Sequence, residues 1–556
     1  MTQNNLYRND PDLANQDQAA SNTGINNPYA TQIHYSAKTK EEDTVYTKSM
    51  KKHFSFFGIG SFLYAIFYTF CLYKNASGIT YPFFVAGTLY YFFFSMQKLG
   101  VPCKKDSIFY IVSIVLLGIS NCFTNSTPLL FMNKCGIFVL SFVLMIHTMY
   151  QNKSWNFPKY FIAFCQMTGT FFVNMYRPVS DMVFYFNVEK KEQDGKKSYF
   201  LPVLIGITIT IPVFTFMTLL LASADAVFSN ILSDMFSSFH FSTIFEILIM
   251  VIMILFCSYS VYATLCMKNV DEEVKHYGIF DPIIAIIVTA ALSMLYLIFS
   301  VIQILYLFIG NMQLPDGYTY SGYAREGFFQ LLAVCVLNLM IVLVCLYFFR
   351  ENKVLKAILT IISGCTFIMI LSSALRMFMY IDRYNLTFLR IFVLWSLAVI
   401  FLLMTGVTIF IYKSRFPLFT YCMVIVTVFY ICLSFAHPDY WIARYNLNPA
   451  HIEYLNKYDV ADSKRYLSGL SADAAPVLLD QEKNPYLETN PAVFADTDES
   501  SEYLNDRTEY TITENSGINE ISISWLKKYY NRIDELSQNT RIRNFNFSVY
   551  RAGKYL

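Results

Sequence analysis

Long apolar stretches separated by short polar loops dominate the chain between Phe54 and Phe435. The stretch from Pro282 to Ile309 runs for 28 residues without a charged side chain. An α-helix rises about 1.5 Å per residue, so roughly 20 apolar residues cross the hydrocarbon layer of a bilayer. Because stretches of about this length recur, the pattern predicts an all-α integral membrane protein.

Eleven of the stretches predict transmembrane helices. A further stretch, Tyr160–Phe186, is apolar but contains Arg177, Pro178 and Asp181. It therefore predicts a helix that lies in the interface or re-enters the membrane from one side, with a twelfth crossing as the alternative. The eleven predicted spans are Phe54–Tyr73, Ile79–Met96, Ser107–Phe123, Leu129–Tyr150, Tyr199–Ala222, Thr243–Met267, Pro282–Gly310, Phe328–Phe349, Val354–Tyr380, Thr387–Ile411 and Phe416–Phe435.

Basic residues in the loops predict the orientation, since cytoplasmic loops carry an excess of Lys and Arg. Three lysines at positions 48–52 precede the first span and predict a cytoplasmic N-terminus. If Tyr160–Phe186 does not cross, the other basic loops fall on that same side, whereas the loops Ser223–Phe241 and Asn311–Tyr323 contain no Lys or Arg. Eleven crossings therefore predict a cell-membrane protein with an extracytoplasmic C-terminus.

Composition separates the two ends of the chain from the membrane region. Residues 1–53 are poor in apolar side chains and predict a disordered cytoplasmic tail. Residues 54–435 form the predicted transmembrane domain. Residues 436–556 predict a small, mainly helical extracytoplasmic domain, which from Pro438 onward carries 18 acidic and 13 basic residues. Its predicted helices are Pro449–Lys457, Ser463–Ser468, Ala472–Asp480 and Glu520–Leu536, with a loop at Glu482–Ser516.

Several kinds of chemistry find no support in the sequence. The net charge of +2 gives no basic field for a nucleic acid. The twelve cysteines lie in or beside apolar stretches without CxxC spacing, and the seven histidines are scattered without zinc-site spacing. We therefore predict no metal, no cofactor and no catalytic residue, and we lean against an enzyme.

Charged residues near span ends are the main candidates for a functional site, because a charge inside a bilayer is costly. No predicted span carries a carboxylate near its midpoint, which disfavours a carrier coupled to protons or sodium through a midplane acid. On the predicted topology the charges gather at the outward face instead. The candidate cluster comprises Asp225, Glu246, Arg325, Glu326, Arg376, Asp382, Arg383 and Arg390.

This cluster has two interpretations. Its arginines could bind a small anion or an anionic lipid headgroup, because the guanidinium fork matches phosphate and carboxylate. Alternatively, the acids and arginines form ion pairs that hold the helix ends together, with Arg376 paired to one of the carboxylates. The sequence leaves both open.

Six short segments resemble a known family. They are Leu221–Phe228, Tyr323–Leu331, Tyr384–Arg390, Trp441–Asn446, Tyr466–Pro476 and Arg543–Ala552. Together they are similar to a bacterial family of multi-pass membrane proteins catalogued only as a domain of unknown function, over about Tyr199 to the C-terminus. Asn385 stands where that family usually has glycine, and asparagine also tolerates a positive φ. The resemblance implies an integral bacterial membrane protein and supplies no activity.

Three classes of function remain open. A transporter-like permease fits the span count, and an envelope sensor or assembly scaffold fits a C-terminal domain that binds an envelope protein. A membrane-embedded transferase acting on a lipid-linked substrate is the alternative. Such enzymes usually place an acid in the first outward loop, and here that loop, Lys74–Gly78, has none. The lipid bilayer is the one partner common to all three classes.

Overall fold

The computed structural model describes most of the chain from residue 44 onward. The described residues are 44–75, 77–152, 155–192, 210, 214, 217–218, 220–225, 227–231, 241–273, 278, 280–305, 320–448, 457–480, 482–484 and 517–556. They are almost entirely helical, as the apolar pattern predicts. All but the last residue of the predicted helix Pro449–Lys457, almost all of the loop Glu482–Ser516 and most of the predicted span Tyr199–Ala222 lie outside the described residues.

Thirteen of the described α-helices precede the C-terminal region. They are α1 (Val45–Lys52), α2 (Phe54–Leu72), α3 (Thr80–Lys98), α4 (Ser107–Phe123), α5 (Thr127–Met149), α6 (Phe157–Val173), α7 (Arg177–Glu192), α8 (Phe241–Met267), α9 (Pro282–Gln303), α10 (Tyr320–Phe348), α11 (Lys353–Tyr384), α12 (Phe388–Tyr412) and α13 (Leu418–Phe435).

Eight helices are long and apolar enough to cross a membrane, counted over the described residues: α2, α5 and α8 to α13. The multi-span character predicted from the sequence is therefore confirmed. Two other predicted spans are helices that fall short of this standard. Helix α4 has only 17 residues, and α3 carries three tyrosines and ends in the polar sequence Ser-Met-Gln-Lys.

Helix α1 corrects one expectation, because residues 45–52 belong to the segment predicted to be disordered. The Thr44 side chain accepts a hydrogen bond from the Thr47 amide and so caps the helix. Its hydroxyl also donates to the Cys266 carbonyl of α8, and Met50 is fully buried in the neighbouring helix group. These stabilising contacts come from α8, which is more than 200 residues away in the chain. The local composition of residues 45–52 therefore does not predict the helix. Residues 1–43 lie outside the described residues.

The stretch Tyr160–Phe186, predicted as one helix, is divided just before Pro178. Helix α6 ends at Val173, a single 3₁₀ turn follows at Asn174–Tyr176, and α7 begins at Arg177. Proline has no amide hydrogen for the carbonyl four residues earlier, which is that of Asn174. This carbonyl accepts instead from the Arg177 amide, in the 3₁₀ turn, and from the Ser260 hydroxyl of α8 at 3.2 Å. A 3₁₀ backbone bond and a side chain of the neighbouring helix together replace the missing helical bond.

The membrane helices form two groups with separate cores. Helices α1 to α6 and α8 share one core, which includes Phe57, Ile114 and Tyr259. Helices α9 to α12 share the other, in two layers that contain Leu359 and Met377. Helix α13 lies between the groups, packing on α4 and α5 on one side and on α12 on the other.

The C-terminal region is a compact helical layer. It contains α14 (Pro438–Asn446), α15 (Lys457–Ser468), the 3₁₀ turn Ala472–Ala474, α16 (Ala475–Leu478), α17 (Gly517–Gln538) and α18 (Phe547–Gly553). The described parts of three predicted tail helices are therefore helical, and α14 and α18 are additional. Their shared core includes Leu478, Leu526 and Tyr529, and the partly buried Leu386 and Phe388 from the α11–α12 turn pack against it.

Candidate functional site

A large cleft in the described part of the chain lies between the two helix groups. Its volume is about 1110 Å³. Its walls come from the start of α4, the end of α5, the end of α10, the start of α11, and the loop that joins α12 to α13. These are the helix ends where the Lys- and Arg-rich loops lie. The cleft therefore opens at the basic end of the molecule.

The rim of the cleft carries an excess of positive charge. Four bases and two acids line it. One base and one acid pair with each other, since the Lys356 ammonium lies 2.9 Å from the Glu351 carboxylate. Among the described contacts Lys105, Arg350 and Arg415 have no ion-pair partner. The net positive charge of the rim therefore favours the binding of an anion.

The interior of the cleft is aromatic and apolar. Leu359 and Val424 lie six residues inside their helices, so the cleft extends about 9 Å past the helix ends. Tyr160 of α6 stacks on Phe419 of α13, with ring centroids 3.9 Å apart. Trp155 packs edge-on against Tyr160. A cationic rim above such an interior suits a molecule with an anionic head and an apolar body.

One hydrogen-bonded chain of polar groups lines the same interior. His147 Nδ1 lies 3.0 Å from the Asn152 side-chain oxygen, and the Asn152 amide donates to the Tyr160 hydroxyl at 2.7 Å. All three side chains are buried. Because buried polar groups fix orientation when they are hydrogen-bonded, this chain holds Tyr160 in place at the cleft wall.

At the opposite end of the molecule, the C-terminal layer is fastened to the first helix group through Asp473. This buried carboxylate accepts hydrogen bonds from the Thr124 hydroxyl at 2.5 Å, the Asn125 amide at 3.0 Å and the Ser548 hydroxyl, and His437 lies 3.4 Å away. Burial acts to raise the pKa of Asp473, but the bonds from His437, Ser548 and Thr124 outweigh it, so the pKa lies below its usual value.

The segment before α18 forms a second attachment, to the α2–α3 loop. Arg543 donates to the Tyr73 carbonyl at 2.7 Å, and its own carbonyl accepts from Asn75 at 3.0 Å. The Ile79 amide donates to the Phe545 carbonyl at 2.8 Å. Gly78 allows this approach, since a Cβ there would lie 2.5 Å from the Arg543 carbonyl oxygen.

The second helix group is attached through the α11–α12 turn. Asn446 of α14 makes two hydrogen bonds to the backbone of Leu386, at 2.7 and 2.9 Å. The Phe388 amide donates to the Tyr466 hydroxyl at 2.9 Å. Asn385 has a φ of 76°, which agrees with the positive φ expected at this glycine-like position. The C-terminal layer therefore joins both helix groups at the end opposite the cleft.

Two of the sequence-predicted arginines belong to the helices on either side of this turn: Arg376 lies inside α11, about two turns before its end, and Arg390 lies in the first turn of α12. Arg376 is buried and donates to the side-chain oxygen of Gln303 at 3.0 Å. The same oxygen accepts from the Ser372 hydroxyl. Arg390 donates to the Tyr384 and Asn385 carbonyls and lies 4.1 Å above the Tyr380 ring. The Arg390 contacts cap the end of α11, and the pairing of Arg376 with a carboxylate stays a prediction.

The other predicted site residues lie in several places. Glu246 is exposed and binds the Tyr73 hydroxyl at 2.7 Å and Lys74 at 3.1 Å. Asp225 caps the helical stretch that follows it, and Asp382 is exposed at the end of α11. The side chains of Arg325, Glu326 and Arg383 lie outside the described residues. The described contacts place Glu246 at the end of α2, Arg376 against α9 and Arg390 at the end of α11.

In the sequence, the basic residues of the cleft served only to predict the orientation of the membrane spans. Lys105, Arg350 and Arg415 belong to basic loops that are far apart in the chain, and no motif connects them. The local sequence around Asp473, Ser-Ala-Asp-Ala-Ala, carries no catalytic or metal signature either. Among the described residues no group of three or more His, Cys, Asp or Glu side chains could hold a metal ion.

Comparison with known proteins identifies a family and no activity. Residues 111–481 match the family model described as a domain of unknown function, DUF4153. The match begins before Tyr199, where the resemblance in the sequence was placed, and ends before α17. No curated protein and no solved structure matches the chain.

Proposed function

The chain belongs to the DUF4153 family of domains of unknown function, and from its architecture we propose that it is a transporter-like permease for amphipathic anions. The observation that carries the proposal is the 1110 Å³ cleft between two helix groups, with its cationic rim and aromatic interior. Transport by alternating access uses two groups of helices that move against each other around a site between them. The two separate cores and the joining helix α13 supply that arrangement.

The proposal includes the predicted topology. Eleven crossings put the cleft on the cytoplasmic side and the C-terminal layer, residues 436–556, outside the cell. The course of α6 supports this count, because contacts at both of its ends reach the same end of α8. Lys159 donates to the Glu273 carbonyl just after α8, and Asn174 donates to Thr264 near its end. A helix that returns to the same face suits the interface.

The described contacts favour the permease over the other classes. A scaffold would need a free face on the C-terminal layer for an envelope protein, yet much of that layer's apolar and polar surface is used against the chain's own helix ends. A transferase would need an acid or a metal site close to its lipid-linked substrate. The cleft offers the acids Asp106 and Glu351, and the latter is paired with Lys356.

Trp155 allows binding in the cleft to be measured directly. We expect a dansyl-tagged alkyl sulfonate, which is permanently charged, to accept energy transfer from Trp155 with saturable dependence on concentration. Arg350→Gln and Arg415→Gln should each weaken binding about tenfold, because a charge-assisted hydrogen bond contributes about 1.5–3 kcal/mol. Trp155→Phe should remove most of the transfer, and Arg444→Gln in the C-terminal layer serves as the matched control.

Transport is tested with the same probe in proteoliposomes. We expect release of the trapped sulfonate to be faster than from protein-free vesicles and to fall in the Arg350→Gln variant. Saturable binding without release would contradict the permease and favour a sensor. Absence of both would remove the cleft as a ligand site.

A further inference from the structure

A second cavity lies between the C-terminal layer and the helix ends beneath it. Its volume is about 630 Å³. Its floor is the first turn of α5 and the first residue of α12, Phe388, and its roof is formed by α14, α15, the loop at residues 469–472 and α17. It lies at the end of the molecule opposite the basic loops. None of the eight charged residues singled out in the sequence lines it.

Two arginines reach this cavity from different tail helices. Arg532 of α17 stacks over the Tyr529 ring at 5.1 Å and donates to the Leu470 carbonyl, which fixes its guanidinium at the wall. Arg465 of α15 is exposed and has no described acceptor for its guanidinium. Two forks that converge from separate helices suit a group with several oxygen acceptors.

The remaining polar lining supplies donors and one acid. The Tyr466 hydroxyl accepts from the Phe388 amide at 2.9 Å, so its own proton is free to be donated into the cavity. Asp439 is buried and accepts from the Ser471 amide and hydroxyl, at 3.3 and 2.6 Å. Burial raises the pKa of Asp439, which reduces its opposition to an anion. The two arginines outnumber this single acid.

The depth of the cavity identifies the kind of molecule that can reach it. Its floor is the first turn of two helices that are long and apolar enough to cross a membrane, α5 and α12. The first turn of such a helix lies at the level of the lipid headgroups. Leu130 and Leu536 add apolar surface beside the arginines. A ligand there would meet positive charge at headgroup depth and an apolar neighbour below.

We propose that this cavity binds a phosphate group at the membrane surface, through Arg465 and Arg532. The phosphate belongs either to an anionic phospholipid, with its chains directed along α5 and α12, or to a small free phosphate. In either case the ligand would connect α15 and α17 to the α4–α5 turn and so hold the C-terminal layer on the helix ends. The site does not depend on the proposed transport activity.

Thermal stability of the purified full-length protein in a neutral detergent tests the site. We expect dioctanoyl phosphatidylglycerol to raise the melting temperature in a saturable way, whereas dioctanoylglycerol, which lacks the phosphate, leaves it unchanged. Glycerol phosphate and inorganic phosphate are titrated in parallel. An effect of the lipid alone identifies a phospholipid site, and equal effects of the free phosphates identify a small-anion site.

Arg465→Gln is the decisive variant, because Arg465 is exposed and its loss leaves the fold intact. It should weaken the stabilisation about tenfold, and the double variant with Arg532→Gln should abolish it. Arg444→Gln, on the same layer but outside the cavity, should keep the full response. The proposal is overturned if no phosphate-bearing compound stabilises the protein, or if Arg465→Gln responds like the unaltered chain.

Discussion

Asp473 is the residue on which the attachment of the C-terminal layer most depends. Its two oxygens serve three donors and the His437 ring. Asp473→Asn keeps the size but replaces one acceptor oxygen with a donor, so buried donors lose their partners. We expect a loss of about 2–4 kcal/mol in the free energy of unfolding, measured by denaturant titration in detergent. Asp480→Asn, which loses only the ion pair with Lys483 near the surface, should cost less than about 1 kcal/mol.

The same residue predicts a direction for pH dependence. Because the folded-state pKa of Asp473 is lowered, its contribution to stability is present above the unfolded pKa of about 4 and is lost as the pH falls through the folded value. His437, Asp439 and Tyr529 are other titratable groups that interact with it. Limited proteolysis of the C-terminal layer should therefore accelerate below about pH 4. Asp473→Asn should remove this acid-dependent part, and an unchanged pH profile in that variant would contradict the assignment.

At the scale of elements, the break between α6 and α7 depends on a side chain of α8. Ser260 donates to the Asn174 carbonyl, which also accepts from the Arg177 amide in the 3₁₀ turn before Pro178. Ser260→Ala should therefore lower the free energy of unfolding by about 0.5–1.5 kcal/mol, since the carbonyl loses one of its two hydrogen bonds. Ser258, two residues earlier, donates to the Leu255 carbonyl of its own helix. Ser258→Ala is the matched control, and an equal loss in both variants would show that the interhelical bond has no special role.

The approach of the C-terminal layer to the α2–α3 loop depends on a glycine. Gly78→Ala places a methyl group against the backbone of residues 543 and 544, which cannot move aside as a side chain can. We expect faster protease cleavage within residues 539–546 in this variant. Gly364→Ala, where nothing lies within 4 Å of the new methyl group, should leave cleavage unchanged. Similar cleavage in both variants would mean that the two segments are not in contact.

The helices were predictable from the sequence to the extent that their pattern is local. Apolar length predicted the spans, whereas the division of Tyr160–Phe186 into two helices was not predicted. Helix α1 was missed because its stabilising contacts come from α8. The cleft was missed because Lys105, Arg350 and Arg415 meet only after two helix groups have packed. The predicted cluster of eight charges followed from topology alone, which gives the face of the membrane but not the neighbours of each residue.

At the scale of the whole molecule, the account depends on the cleft and the C-terminal layer lying on opposite sides of the membrane. Ser414 is exposed in the loop that lines the cleft, and Glu482 is exposed in the C-terminal layer. Each can be replaced by cysteine in a chain whose exposed native cysteines, at positions 103, 135, 165 and 432, have been changed to serine. A membrane-impermeant maleimide then reports which position faces outward.

Labelling of these two cysteines in intact cells and in inside-out vesicles tests the central claim most directly. We predict that Glu482→Cys is labelled in intact cells, whereas Ser414→Cys is labelled only in inside-out vesicles. Labelling of both positions from the same side would contradict the separation of the cleft from the C-terminal layer, and the reverse pattern would contradict the orientation.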